Sequence, residues 1–180
     1  MKKKIFFLAF LLIFNSCNKT VDAHHEHHDE QKNVISEEKE LVLEKAKLFL
    51  RKLNIKLDDQ YSLEQITEKN IEDISEILIE TEKFQLYLNG EDFKIRNFIL
   101  NDFKVGNNAK DFEDSELQKI AKELLNNLKI SDEVENFKDY KLDNIYIQDN
   151  IAYTIYTKEE KLLILGFNPI NNEIVLLTIR

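Results

Sequence analysis

Two stretches of the chain carry apolar residues at helical spacing. In SEEKELVLEKAKLFLRKLN, Val42, Ala46, Phe49, Leu50 and Leu53 recur on one side of a 3.6-residue turn, and Ser36 stands where an N-cap belongs. In DSELQKIAKELLNNLKI, Leu117, Ile120, Ala121, Leu124, Leu125 and Leu128 form one stripe, with Ser115 and Gln118 spaced as a capping box. Elsewhere the pattern shortens to strand-like runs. KFQLYLNGEDFKIRNFIL predicts a hairpin with Asn89-Gly90 at its turn. Four β-rich runs close the chain: NIYIQDN, IAYTIYT, KLLILGF and EIVLLTI. Strand alternation places Tyr153, Ile155 and Thr157 on one side of the second run and Ala152, Thr154 and Tyr156 on the other. Between Tyr61 and Glu82 two readings stand. Asn70 caps a helix carrying Ile71, Ile74 and Leu78, or Ile77 to Ile79 begins a strand.

The two halves align. AKLFLRKLNI from Ala46 matches AKELLNNLKI from Ala121 at a shift of 75, and LYLNGEDFKIRNFIL from Leu86 matches LGFNPINNEIVLLTI from Leu165 at a shift of 79. Helix and hairpin recur in one order, with a small loop insertion between. The expected fold class is therefore α+β: two helix-plus-antiparallel-sheet units in tandem, residues 39–106 and 107–180. One helix on one small sheet buries little surface, so the units are expected to share a sheet or a helix interface.

The unit resembles the PepSY-like repeat of peptidase propeptides and of exported bacterial proteins of the YcdB type. The resemblance rests on the helix pattern A-x-x-F-L-x-x-L, here Ala46, Phe49, Leu50 and Leu53 and again Ala121, Leu124, Leu125 and Leu128, followed by an antiparallel hairpin. It implies a PepSY- or cystatin-like, non-catalytic module that binds, inhibits or scaffolds another exported protein.

Ahead of the folded part, Lys2, Lys3 and Lys4 lead ten apolar residues, Ile5 to Phe14. A helix needs about 20 apolar residues to span a bilayer core, so this run reads as an export signal over residues 1–16. Asn15-Ser16-Cys17 ends it, and Cys17 is the only cysteine. This ending resembles the lipobox of bacterial lipoproteins, in which the cysteine is acylated and becomes the new N-terminus. A lone cysteine in an exported chain has no internal disulfide partner, whereas two or more acyl chains anchor a soluble domain stably. Residues 17–38 then read as a polar, flexible tether with too few large apolar residues to offset its ordering entropy.

Charge narrows the partners. The net charge of −9 becomes −12 once residues 1–16, with three lysines and no acid, are removed. Such a surface repels nucleic acid and gains nothing electrostatically from anionic lipid, so acylated Cys17 would hold the protein to the bilayer. Beyond the tether there is no histidine and no cysteine. That removes histidine acid–base chemistry, cysteine nucleophiles and Cys/His zinc sites from the folded part. Glycines at 90, 106 and 166 alone form no phosphate-cradling loop. The carboxylate groups Asp58-Asp59, Asp111/Glu113/Asp114 and Asp132/Glu133/Glu135 read as solvated loop and helix-start charges, and the folded body is read as no enzyme. Tyr140, Tyr146, Tyr153 and Tyr156 gather in the C-terminal runs, either as ordinary strand residues or as an exposed face for a protein or glycan.

All four histidines, His24, His25, His27 and His28, lie within HHEHHDE of the tether. Neutral imidazoles suit Zn, Cu and Ni, so a weakly bound divalent transition metal is one expectation. An incidental polar spacer is the other, and no other cofactor is implied. The function read from the sequence is a membrane-anchored lipoprotein of the bacterial cell envelope, at the outer membrane or cell surface in a diderm host. Its non-catalytic module would bind or regulate an envelope protein; metal handling through the histidine tract is the alternative.

Overall fold

The computed structural model describes residues 30–58, 65–71, 74–103 and 111–180. Helix α1 (Glu30–Lys52) precedes strands β1 (Thr67–Ile71), β2 (Ile74–Glu80), β3 (Phe84–Asn89) and β4 (Ile95–Leu100). Helix α2 (Asp114–Asn127) and two short 3₁₀ turns, Ile130–Asp132 and Phe137–Asp139, precede β5 (Lys141–Gln148), β6 (Ile151–Lys158), β7 (Lys161–Asn168) and β8 (Glu173–Ile179). The segment between Tyr61 and Glu82 therefore ends in strands, not a helix.

The expected pair of tandem helix-plus-sheet units is overturned. The strands form one eight-stranded antiparallel sheet in the order β1-β2-β3-β4-β8-β7-β6-β5, and the described chain is mostly β with only two α-helices. The join lies at β4 and β8, where Asn97 pairs with Thr178, Phe98 with Leu177 and Ile99 with Leu176. A four-stranded sheet ending at β4 or at β8 would leave an apolar edge unpaired, and an unpaired edge is a template for further pairing. Joining the two edges satisfies both sets of backbone groups and merges what would have been two cores.

Both helices share one core with one face of that sheet. Val42, Ala46, Phe49 and Leu50 of α1 and Leu117, Ala121 and Leu125 of α2 are buried together with Leu86, Phe98, Leu165 and Leu177. Phe49 of α1 meets Phe98 edge-on, centroids 5.8 Å apart. The helices end alike: Asn54 after α1 and Lys129 after α2 take left-handed φ values of 57° and 51°, the conformation that commonly stops a helix. Lys52 Nζ donates to the carbonyl of Leu128 at 2.8 Å, so a cation from the end of α1 meets the free carbonyls just past the end of α2.

Helix starts differ from the sequence expectation. Helix α1 begins at Glu30, which leaves Ser36 inside it. At α2 the N-cap is Glu113, two residues ahead of Ser115, and its N–H donates to the Glu116 carboxylate at 3.0 Å. Glu113 and Glu116 keep the three-residue spacing of a capping box, so the error was one of position.

Candidate functional site: the outward sheet face

Strand alternation sends every second side chain away from the helices, and both helices lie on the other side. On the outward face, cross-strand partners line up into rows. One row crosses all eight strands: Thr67, Leu78, Tyr87, Asn97, Thr178, Ile164, Ile155 and Asn144. It contains no charged residue, in a chain of which a third is charged. The next row runs Tyr146, Tyr153, Gly166, Leu176, Ile99 and Gln85, and reaches a charge only at Glu80 on β2. Ile99, Ile155 and Ile164 are half-buried and stand outside the buried core and the residues packed on it.

Most polar groups of these two rows are neutral, and several satisfy one another. Thr178 Oγ1 and Asn97 Oδ1 are 3.0 Å apart, with the hydroxyl donating. The Tyr87 hydroxyl donates to Gln85 Oε1 at 3.3 Å, and Gln85 Nε2 donates to Glu80 Oε1 at 2.7 Å. Tyr146 and Tyr153 stack with centroids 5.1 Å apart and planes 14° from parallel. Gly166 makes room for them: a Cβ there would come within 3.0 Å of a Tyr153 ring carbon and of Leu176 Cβ. Burial raises the pKa of Tyr146. Burial first, then Tyr146 and Asp149, raise that of Tyr153. At neutral pH both phenols are uncharged.

The tyrosines expected as one cluster divide between the two faces. Tyr146 and Tyr153 belong to the outward face, whereas Tyr140 and Tyr156 sit on the helix side around Phe137. Cys17, His24, His25, His27 and His28 lie outside the described residues. The loop carboxylates are dispersed. Asp132 faces Lys52 at 3.8 Å, Glu133 accepts the Ile95 N–H at 3.0 Å, and Glu113 caps α2. Among the described residues no three His, Cys, Asp or Glu side chains gather where they could hold a metal. None of the described helices is long and apolar enough to cross a membrane.

Sequence reasoning missed Ile99, Ile155, Ile164 and Gly166. For Ile164 and Gly166 the signal was present: KLLILGF is apolar at both parities, the mark of a strand covered on both sides. Two helices on one face supply only one cover.

No family model and no curated protein matches the chain. Among solved structures it is similar to a protein of unknown function from Clostridium leptum DSM 753, at 13% identity and a TM-score of 0.43, over 89% of this chain and 98% of that one.

Proposed function

We propose that this protein is a membrane-anchored lipoprotein of the bacterial cell envelope whose folded body is a non-catalytic binding or regulatory module, and that the module engages an envelope protein through the outward sheet face. One observation supports the binding half: a row of side chains crosses eight strands without a charge, on an otherwise acidic chain. Monomeric proteins seldom keep broad uncharged apolar faces in water, and such faces commonly mark interaction sites. The partner's matching surface would be apolar and neutral, because any ion it buried against Ile155 or Ile164 would lose its hydration without compensation. The anchoring half rests on the lysine-led apolar run that ends at Ser16-Cys17.

Two measurements test the two halves separately. Fatty-acid labelling in the producing cell should mark the wild-type protein and not Cys17→Ala; equal labelling of both ends the anchor. Full-length protein with Ile155→Lys and Ile164→Lys should keep its circular dichroism spectrum and lose the envelope protein that the wild type captures. Retention of the same partner by the folded variant removes the face from the proposal. A second reading, metal handling, is favoured by the placement of all four histidines between positions 24 and 28. Deletion of residues 18–35 should then abolish zinc uptake by the full chain, and unchanged uptake discards it.

A further inference from the structure

A second site lies on the opposite side of the sheet and is independent of the partner-binding face. A half-open cleft of about 620 Å³ separates the C-terminal half of α2 from the segment that leads into β5. Lys122 and Asn126 come from α2, Asn136 and Lys138 from the segment, and Phe137 and Tyr156 contribute aromatic surface. The four polar residues are exposed, Phe137 is half-buried, and Tyr156 is buried with 3% of its surface accessible. Phe137 and Tyr156 meet edge to face, centroids 6.0 Å apart.

The charge here is opposite to that of the molecule. Among the described residues no carboxylate lines the cleft, although residues 130–140 carry Asp132, Glu133, Glu135 and Asp139. Three of those acids are engaged elsewhere. Asp132 turns to Lys52, Glu133 accepts the backbone N–H of Ile95, and Asp139 pairs with Lys158 at 3.2 Å. Two lysines therefore face a common space in which nothing of opposite sign meets them among the described residues. Left-handed backbone at Lys129 and Asn136, with φ of 51° and 54°, bends the segment back over β6.

Among the described residues the Tyr156 hydroxyl has no hydrogen-bond partner, and neither has the Thr154 hydroxyl two residues before it. Burial raises the Tyr156 pKa, and the Thr154 hydroxyl works weakly the other way without reaching hydrogen-bonding geometry. Both hydroxyls are closed to solvent, so they lie beneath the wall, and the accessible groups of the cleft are the lysines, the amides and the half-buried rings.

We propose that this cleft binds a small organic anion: its phosphate or carboxylate group lies between Lys122 and Lys138, and a flat ring rests on the half-buried rings of Phe137 and Tyr140. The two asparagine amides offer donors and acceptors at the rim, which suits a ring bearing hydroxyl or amide substituents. Long-range repulsion from an acidic protein would disfavour highly charged ligands, so one or two negative charges fit best.

Phenyl phosphate is the test probe, titrated into the full-length protein and followed by amide shifts in NMR spectra. Saturable shifts should concentrate at residues 122–140 and 154–156, with phenol and inorganic phosphate each binding at least tenfold more weakly. Lys122→Gln combined with Lys138→Gln should weaken phenyl phosphate tenfold or more with an unchanged circular dichroism spectrum. Tyr156→Phe removes a hydroxyl that is closed to solvent and should change binding by less than about twofold. The site is overturned if phenyl phosphate does not bind, if its shifts fall on the outward sheet face, or if the double lysine variant binds as well as wild type.

Discussion

The β3–β4 and β7–β8 hairpins turn in the same way with different residues. In each hairpin the returning strand carries the extra residue of a bulge, Arg96 of β4 opposite Tyr87 and Leu88 and Val175 of β8 opposite Gly166 and Phe167. Each then reaches an asparagine whose Oδ1 accepts a backbone N–H two residues on, from Glu91 at 2.7 Å or Ile170 at 3.0 Å. Each closes with a left-handed residue, Phe93 or Asn172, whose N–H donates back to that asparagine's carbonyl at 3.0 or 2.9 Å. Between the two turns only the asparagine is shared. A side-chain acceptor at the first corner and a bulge in the returning strand thus set the turn, and the remaining residues follow local neighbours. Gly90 is one such case: its N–H donates to Ser75 O at 2.8 Å, and a Cβ there would come within 2.7 Å of Ser75 Cβ. Pro169 stands at the same corner of the other hairpin with no N–H to give.

The hairpins differ most where they meet. Phe98 of β4 packs against Phe49 and Phe84, with ring centroids 5.8 and 6.3 Å away, whereas its β8 partner Leu177 has only aliphatic bulk. Both are fully buried. Phe98→Ala should therefore destabilise by about 3–5 kcal/mol, and Leu177→Ala by less, within about 2–5 kcal/mol. Urea unfolding of both variants measures this. An equal or reversed order would show that the aromatic cluster adds nothing beyond volume.

A smaller effect separates the two turns themselves. Asn89→Ala and Asn168→Ala each remove the corner acceptor, and each should lower stability by about 1–3 kcal/mol. Asn168 is the more enclosed, with 2% of its surface accessible against 9% for Asn89, so its loss should be the larger. Equal midpoints in urea for the two variants would place the turn's stability in the bulge instead.

These comparisons also locate what could be read in advance. The helical stripes of α1 and α2 and the four closing strands were legible because burial imposes its period directly on the residues. The hairpin with Asn89-Gly90 at its turn was visible, but the length and form of its loop were not. Gly90 has no positive φ, and the loop extends to Lys94. Sheet order was illegible, since the pairing of Phe98 with Leu177 joins positions far apart in sequence that no local pattern links. The outward face was hidden for a related reason. Ile155 and Ile164 look like core residues in sequence, and only the count of available covering elements shows that they are not. Lys122 and Lys138 read as ordinary surface lysines until the folded segment carries its own acids away from them.

The smallest effect concerns how the two hairpins carry their aromatics on the outward face. Tyr87 stands on its own strand, and its pKa is raised by burial first and then by Glu80 and Glu76. Gly166, at the matching place, leaves the space to Tyr153, which is raised by burial and by its neighbours Tyr146 and Asp149. In each case folding favours the neutral phenol. Below the ordinary value of 10.0 both folded and unfolded chains are protonated and stability is unaffected. Above it the unfolded chain releases its protons first, so stability falls as pH rises toward the folded values. Tyr153→Phe keeps the ring over Gly166 and removes one of these protons. It should change stability at pH 7 by less than about 1 kcal/mol and make the decline above pH 10.0 shallower than in the wild type. Chemical unfolding at pH 7 and at several values above 10, with tyrosinate absorbance followed in parallel, measures both. A decline as steep in Tyr153→Phe as in the wild type would mean that the stacked pair ionises as freely as exposed tyrosine, and that the outward face is no more sheltered at Gly166 than open water.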